Sequence, residues 1–187
     1  MEKGTGRVRA GTVRVRDQYV MAKHGKLARE SFRAAASPQL LQVLTTPGDV
    51  WVSFDLFVES TELVCRLFGE GNPGLARKIG AFGAEANMGA WRSLVYRMLS
   101  PKMMMELAGA FWSHHYDGGR LKASLDGPHG LLVRLEDFPR PHVLHCLSIA
   151  GWMERTIELG RPKRVAVKKV RCRLDGAEAC KFLGEWE

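Results

Sequence analysis

Along the first two-thirds of the chain, apolar positions recur at three- and four-residue steps, the period of a helix with one buried face. After GRVRAG, where basic and apolar residues alternate between glycines, this pattern sets in at about Val13, with Val13, Val20, Leu27 and Phe32 available for burial. Ser37 before Pro38 opens a second helix and TTPGD closes it. A third carries Phe54, Phe57, Val58, Thr61, Val64, Leu67 and Phe68 along one stripe and stops at Gly69. A fourth run places Leu75, Ile79, Phe82 and Ala86, then Trp91, Leu94, Val95 and Met98, and is interrupted by Gly80, Gly83 and Gly89. A glycine costs ~1 kcal/mol in a helix interior, so three in one run point to another backbone packed closely, or to a kink at Gly89. Ser100 and Pro101 begin a fifth helix, which Gly118 and Gly119 close.

Beyond that double glycine the period falls to two. RLKASLD and GLLVRLEDF flank the turn-former GPHG, with Leu121, Ala123 and Leu125, and Leu131, Val133 and Leu135, on single faces. VLHCLSIAGWMERTIELG returns to helical spacing through Val143, Leu147, Ala150, Met153 and Ile157, and KRVAVKKVRCRL with CKFLGEW makes a closing hairpin. The order predicts an α+β fold: a helical N-terminal half packed on a four-stranded antiparallel sheet, whose C-terminal half reads strand, strand, helix, strand, strand. With 187 residues the chain is expected to be a single domain over 1–187, carrying a basic N-terminal arm over 1–12.

Charge refines this picture. The net charge of +8 is concentrated at the ends: nine Lys/Arg against three Asp/Glu over 1–37, nine against eleven over 38–137, and ten against six over 138–187. Arginines at 7, 9, 14 and 16 and the run RPKRVAVKKVRCR can form a phosphate-binding stripe. No helix-turn-helix, zinc-finger or RNA-binding signature accompanies them, so specific nucleic-acid binding is not expected and a nucleic-acid-associated protein stands as the alternative reading. No apolar run reaches the ~20 residues of a membrane span, no secretory leader opens the chain, and four scattered cysteines suit reduced thiols, which places the protein in the cytoplasm.

Candidate chemistry centres on VRCRLDGAEACKF. A loop of Asp175, Gly176 and Ala177 would set Cys172 opposite Cys180, on the same face as Leu174, Phe182 and Trp186. Val165 and Val167 fall out of step with Val170, Cys172 and Leu174, which a bulge near Lys168 and Lys169 would reconcile. Cys146, on the preceding helix, can reach the hairpin. Cys146, Cys172 and Cys180 are then core filling, a disulfide pair with a spare thiol, or three ligands of a metal, zinc being the candidate.

The stretch from His145 to Phe182 resembles the C-terminal half of the 4-vinyl-reductase-type domain, a small-molecule-binding module of bacterial phenol- and xylene-sensing activators. Cys146, Gly151 and Trp152 match one of its patterns, and Cys172, Gly176 and Cys180 match its C-x3-G-x3-C. That resemblance implies a structural zinc on the three cysteines together with a glutamate three residues before the middle one, where this chain has Lys169; the fourth ligand would then come from His142, His145 or Glu178. More loosely, FDLFVES, FGAEAN and FWSHHYDGG make the whole chain similar to a paralogous family of myxobacterial proteins. The wider superfamily takes in TRAPP vesicle-transport subunits and haem-based nitric oxide sensors, and it implies a TRAPP-like fold, commonly dimeric.

Two further groups complete the expectations. Phe82, Trp91, Met98, Phe111, Trp112, His115 and Tyr116 are the candidate lining of an adaptable apolar pocket. Haem would need an imidazole in such a pocket, with His115 or His145 to provide it, and no c-type attachment motif occurs. No catalytic residue is assigned. The expected function is a non-enzymatic module, sensing a small apolar molecule or acting as a dimeric scaffold for a protein partner, with no cofactor certain and zinc the one candidate.

Overall fold

The computed structural model describes residues 6–86, 101–160 and 162–187, of which 101–106 by backbone only. The chain opens on β1 (Arg7–Arg9), which pairs antiparallel with β2 (Trp51–Ser53), Val8 facing Val52. β1 falls within GRVRAG, where basic and apolar residues alternate, but three residues of alternation do not reveal that Trp51–Ser53 is the partner strand. The basic arm expected over 1–12 is therefore, from Arg7 onward, a strand that runs directly into α1 (Ala10–Ala34). Helix α1 is broken at Gly25, whose φ of 84° suits glycine alone among common residues. The break turns the distal half away from the original face: Val13, Val20 and Phe32 are fully buried while Leu27 is 79% exposed.

Helix α2 (Pro38–Thr45) starts where Ser37 Oγ accepts from the Leu40 amide at 3.2 Å, and α3 (Phe54–Phe68) starts under Ser53. Helix α4 (Leu75–Ala86) follows, then α5 (Pro101–His115). Gly89, Trp91, Leu94, Val95 and Met98 lie outside the described residues. Strands β3 (Arg120–Leu125), β4 (Gly130–Glu136), β5 (Ala166–Arg171) and β6 (Ala179–Glu185) form one antiparallel sheet in the order β3-β4-β6-β5, with α6 (Val143–Leu159) between the two hairpins in sequence. Among the described residues this makes six helices and two antiparallel sheets, an α+β architecture. No described helix is long and apolar enough to cross a membrane.

The joint between α4 and α6 is made by backbone rather than side chains. A Cβ on Gly80 would run into the Ser148 carbonyl, and one on Gly151 into the Arg77 carbonyl, so each helix supplies the glycine that lets the other through. Arg77 fastens the crossing, reaching Glu154 and the Val167 carbonyl at 2.9 Å each.

The closing hairpin departs from its expected geometry in detail. The expected bulge is present, its register shift falling between Lys169 and Arg171, and the departure lies beyond it. Cys172 lies beyond the end of β5, ahead of a 3-10 turn over Arg173–Asp175 and a left-handed Gly176, so Cys180 faces Leu135 across β4 instead. The longer turn throws Leu174 outward to 49% exposure, while Phe182 is fully buried and Trp186 packs on the core's edge.

Candidate ligand-binding cavity

Where the helices meet the sheet, six rings close on one another. His145 is 1% exposed, and its imidazole lies 4.9 to 5.8 Å, centre to centre, from Phe138, Phe54, Tyr116, Phe57 and Trp112. Trp112 Nε1 donates to the Gly118 carbonyl at 2.9 Å, which fixes the indole. Burial, reinforced by the Arg16 charge, pushes His145 down to about 3, so the ring is neutral, and its Nε2 has no hydrogen-bond partner among the described residues.

Beside this cage lies a cavity of about 80 Å³. Its walls come from α1 (Thr12, Val15, Arg16), α3 (Phe57), α4 (Ile79, Gly80, Gly83), α5 with the residue after it (Phe111, Trp112, His115, Tyr116), β3 (Leu121) and α6 (Ser148, Ile149, Trp152, Met153). A second hollow of about 50 Å³, fully apolar but for Thr156, lies on the other side of Phe111 and Trp152, whose rings stack at 4.7 Å. Four residues expected to line a pocket, Phe111, Trp112, His115 and Tyr116, are brought together here. Phe82 instead meets Tyr19 edge-on at 5.5 Å, and Trp91 and Met98 lie outside the described residues.

The polar members of the wall cluster at one end. Arg16, 3% exposed, sends Nε to Thr61 Oγ1 at 3.0 Å, Nη1 to the Thr12 carbonyl at 2.7 Å and Nη2 toward Ser148 Oγ at 3.5 Å, with its guanidinium 3.8 Å over the Phe57 ring. Desolvation lowers it to about 10, against the opposing pull of Tyr116 and Cys65, and it stays charged at neutral pH. Among the described residues no carboxylate pairs with it. Tyr116 is pushed up to about 12 by burial, Arg16 working the other way, and is a neutral phenol. Burial first, then His114, lowers His115 to about 4, and its Nδ1 lies 3.4 Å from Thr12 Oγ1. An apolar hollow with one buried cation, one phenol and neutral hydrogen-bonding groups at its end can hold a small amphiphilic guest.

Arg16, Thr12, Phe57, Ser148 and Trp152 were not expected here. Arg16 looked like one member of a basic stripe; the signal was its place three residues from Val13 and four from Val20, on the apolar side of α1. The other N-terminal arginines of that stripe also find partners within the chain. Arg7 binds Asp117 at 2.7 Å, Arg9 lies over Trp51 at 4.2 Å, and Arg14 reaches the carbonyls of Thr46 and Gly48 at 3.2 and 2.6 Å.

The sulfurs gather as a separate cluster. Cys146 Sγ lies 3.8 Å from Cys172 Sγ, and Cys172 Sγ 3.7 Å from Cys180 Sγ, hydrogen-bonding separations with no disulfide. Hydrogen bonds from Cys146, and from the Arg173 amide at 3.4 Å, hold the Cys180 thiol below its ordinary value, and the Cys146 thiol is raised in turn. Among the described residues the group contains three potential ligands and no fourth. His145 points into the ring cage, and His142 caps the Leu144 amide at 3.3 Å.

No protein-family model matches the chain, and no curated protein matches it. Solved structures do. An H-NOX protein from K. algicida, in its Fe(II) unliganded state, superposes with a TM-score of 0.69 at 9% identity, covering 96% of each chain. The H-NOX domain of Shewanella oneidensis, in its Fe(II)CO state, gives 0.69 at 14% identity over 96% of this chain and 98% of that one. An H-NOX protein from S. oneidensis, in its Fe(II)NO state, gives 0.65 at 16% identity over 96% of this chain and 99% of that one. At these identities it is the fold that is shared.

Two expectations are corrected by this finding. The 4-vinyl-reductase and TRAPP-like assignment gives way to the H-NOX fold, because the matches that span the chain are to H-NOX (haem nitric oxide/oxygen-binding) domains. The cofactor expectation, none certain with zinc the candidate, gives way too: the group this fold class points to is haem, and close-packed thiols with Lys169 beside them are not evidence of zinc.

Whether the residues of this chain fit a haem can be tested directly, since all six histidines lie within the described residues. His145, with its orphaned Nε2, is walled in by five rings, so a macrocycle could reach it only by displacing them. His115 alone faces the cavity, and about 80 Å³ is far below the ~300–1,000 Å³ of cofactor pockets. The roomier groove of about 570 Å³ beside His142 carries Glu59, Glu62 and Arg66, unlike the apolar slot a porphyrin requires. Among the described residues, none of His115, His142 and His145 offers a site that fits haem.

Proposed function

We propose that this chain is a non-enzymatic sensing module on the H-NOX fold that takes a small guest directly in the cavity between α1, α4, α5 and α6. The observation that carries the reading is the hollow walled by Phe57, Phe111, Trp112, Trp152 and Met153, set against the α4–α6 joint. Cores are packed nearly as densely as organic crystals, so a hollow of this size forfeits dispersion contacts that a guest restores. Because Gly80 and Ser148 both line it and touch each other, a guest changes the balance of packing at that joint. A ligand shifts a conformational equilibrium by its differential affinity for the two states, and the crossing of α4 with α6 is the element placed to report occupancy to a partner surface or a second copy of the chain.

The test is thermal unfolding of the purified protein with small one-ring and short-chain compounds, alongside an Ile149→Phe variant that fills the hollow. Saturable increases in Tm that vanish in the variant support the reading. Absence of any saturable shift contradicts it.

A further inference from the structure

The cavity described above has a feature that an apolar guest alone does not explain. A buried ionised group is costly unless it is paired, and ion pairs of the interior are lost at heavy cost when one partner is removed. This protein follows that rule elsewhere: Asp17, 3% exposed, is held by Arg29 at 2.6 Å and Arg33 at 2.7 Å. The adjacent residue in sequence breaks it. Arg16 is as deeply buried, stays charged, and meets only neutral acceptors among the described residues, namely Thr61 Oγ1, the Thr12 carbonyl and Ser148 Oγ. A guanidinium has five N–H donors in a planar fork matched to a carboxylate, and three protein contacts, one of them long, leave donors over.

We infer that the ligand of this cavity is a small monocarboxylate, its carboxylate on Arg16 and its apolar body among Phe111, Trp152 and Met153, an assignment that rests on the cavity being the ligand site. The neighbours at the polar end suit that anion. The Tyr116 phenol keeps its proton and can donate it, and His115, Thr12 and Ser148 add neutral groups with no competing negative charge. The opposite end suits the tail, since the stacked Phe111 and Trp152 separate the cavity from the second apolar hollow. The space sets the size: it exceeds a single water and falls short of the ~150 Å³ hole that holds benzene without adjustment, so the guest is a short aliphatic acid or a single aromatic ring acid admitted by ring rotation.

The experiment measures binding of hexanoate and benzoate against their uncharged isosteres hexanamide and benzamide, by calorimetry and Tm shift on the full chain at pH 7. The expected result is that each acid binds at least about tenfold more tightly than its amide, the range for a charge-assisted pair in a water-poor site. In Arg16→Met the acids lose that advantage while the amides still bind, and Arg16→Lys, which keeps the charge and loses the fork, falls between. Acids and amides binding alike to the wild-type protein would overturn the carboxylate assignment and leave the cavity reading standing. Failure of all four compounds to bind would overturn both. Should the variants fold poorly, the acid-to-amide ratio of the wild-type protein decides alone.

Discussion

His145 and Arg16 are buried to the same depth on adjoining sides of one ring cluster, and the interior treats them in opposite ways. The imidazole gives up its proton, held down to about 3 by desolvation, and sits neutral inside a closed cage of five rings. The guanidinium, lowered only to about 10, keeps its charge and lies on the wall of an open hollow. A histidine can escape the cost of burial by deprotonating, whereas an arginine cannot, so a buried arginine without an anionic neighbour remains a standing demand for one. The closed side of the core contributes to stability, and the open side is where a ligand acts.

The largest effect should come from breaking the frame that keeps the two sides apart. Gly151→Ala drives a methyl into the Arg77 carbonyl, and we expect a loss of at least about 3 kcal/mol, read as a Tm lower by roughly 10 °C. Asp17→Asn is the control for a buried charge that is already paired; it leaves Arg29 and Arg33 unmatched and should cost about 2–3 kcal/mol in urea unfolding. Arg16→Met should act in the other direction. With no guest present, replacing an uncompensated buried charge by an apolar chain of similar length is expected to raise stability by about 1–2 kcal/mol. A loss comparable to that of Asp17→Asn would mean that Arg16 is already satisfied.

The smallest effect per step is the pH dependence of the closed side. His145 has a folded-state pKa below its unfolded value, so the unfolded chain binds more protons between pH 6.5 and about 3. Its contribution is present above pH 6.5 and is lost as pH falls toward the folded value, at most about 1.4 kcal/mol per pH unit, with part-buried His115 adding a smaller share of the same sign. Urea midpoints from pH 7 to pH 4.5 should therefore decline more steeply for the wild-type protein than for His145→Phe. Equal slopes would show that the ring takes up its proton in the folded state.

Much of this frame was legible in the sequence because it follows from periodicity. The stripe from Phe54 to Phe68, the capping Ser37, the alternating strands about GPHG, and the glycines of α4 as a sign of close backbone all depend on local spacing. What spacing could not show was partnership. Gly80 announced a close approach but not that Gly151 would answer it from α6, and the alternation in GRVRAG did not tell that β1 would pair with β2. Arg16 was misread because the arginines at 7, 9, 14 and 16 look like an exposed stripe until helix α1 turns that one residue inward. The cysteine pattern brought three sulfurs together as expected yet pointed to a different fold from the one the superpositions find, since C-x3-G-x3-C reports only how the hairpin packs beneath α6.

The most direct test of the account is a titration of haem into the purified protein followed by visible absorbance. With His145 walled in and His115 facing only about 80 Å³, we predict no stoichiometric complex and no sharpened Soret band. A one-to-one complex with an axially ligated spectrum, abolished by His115→Ala or His145→Ala, would contradict it.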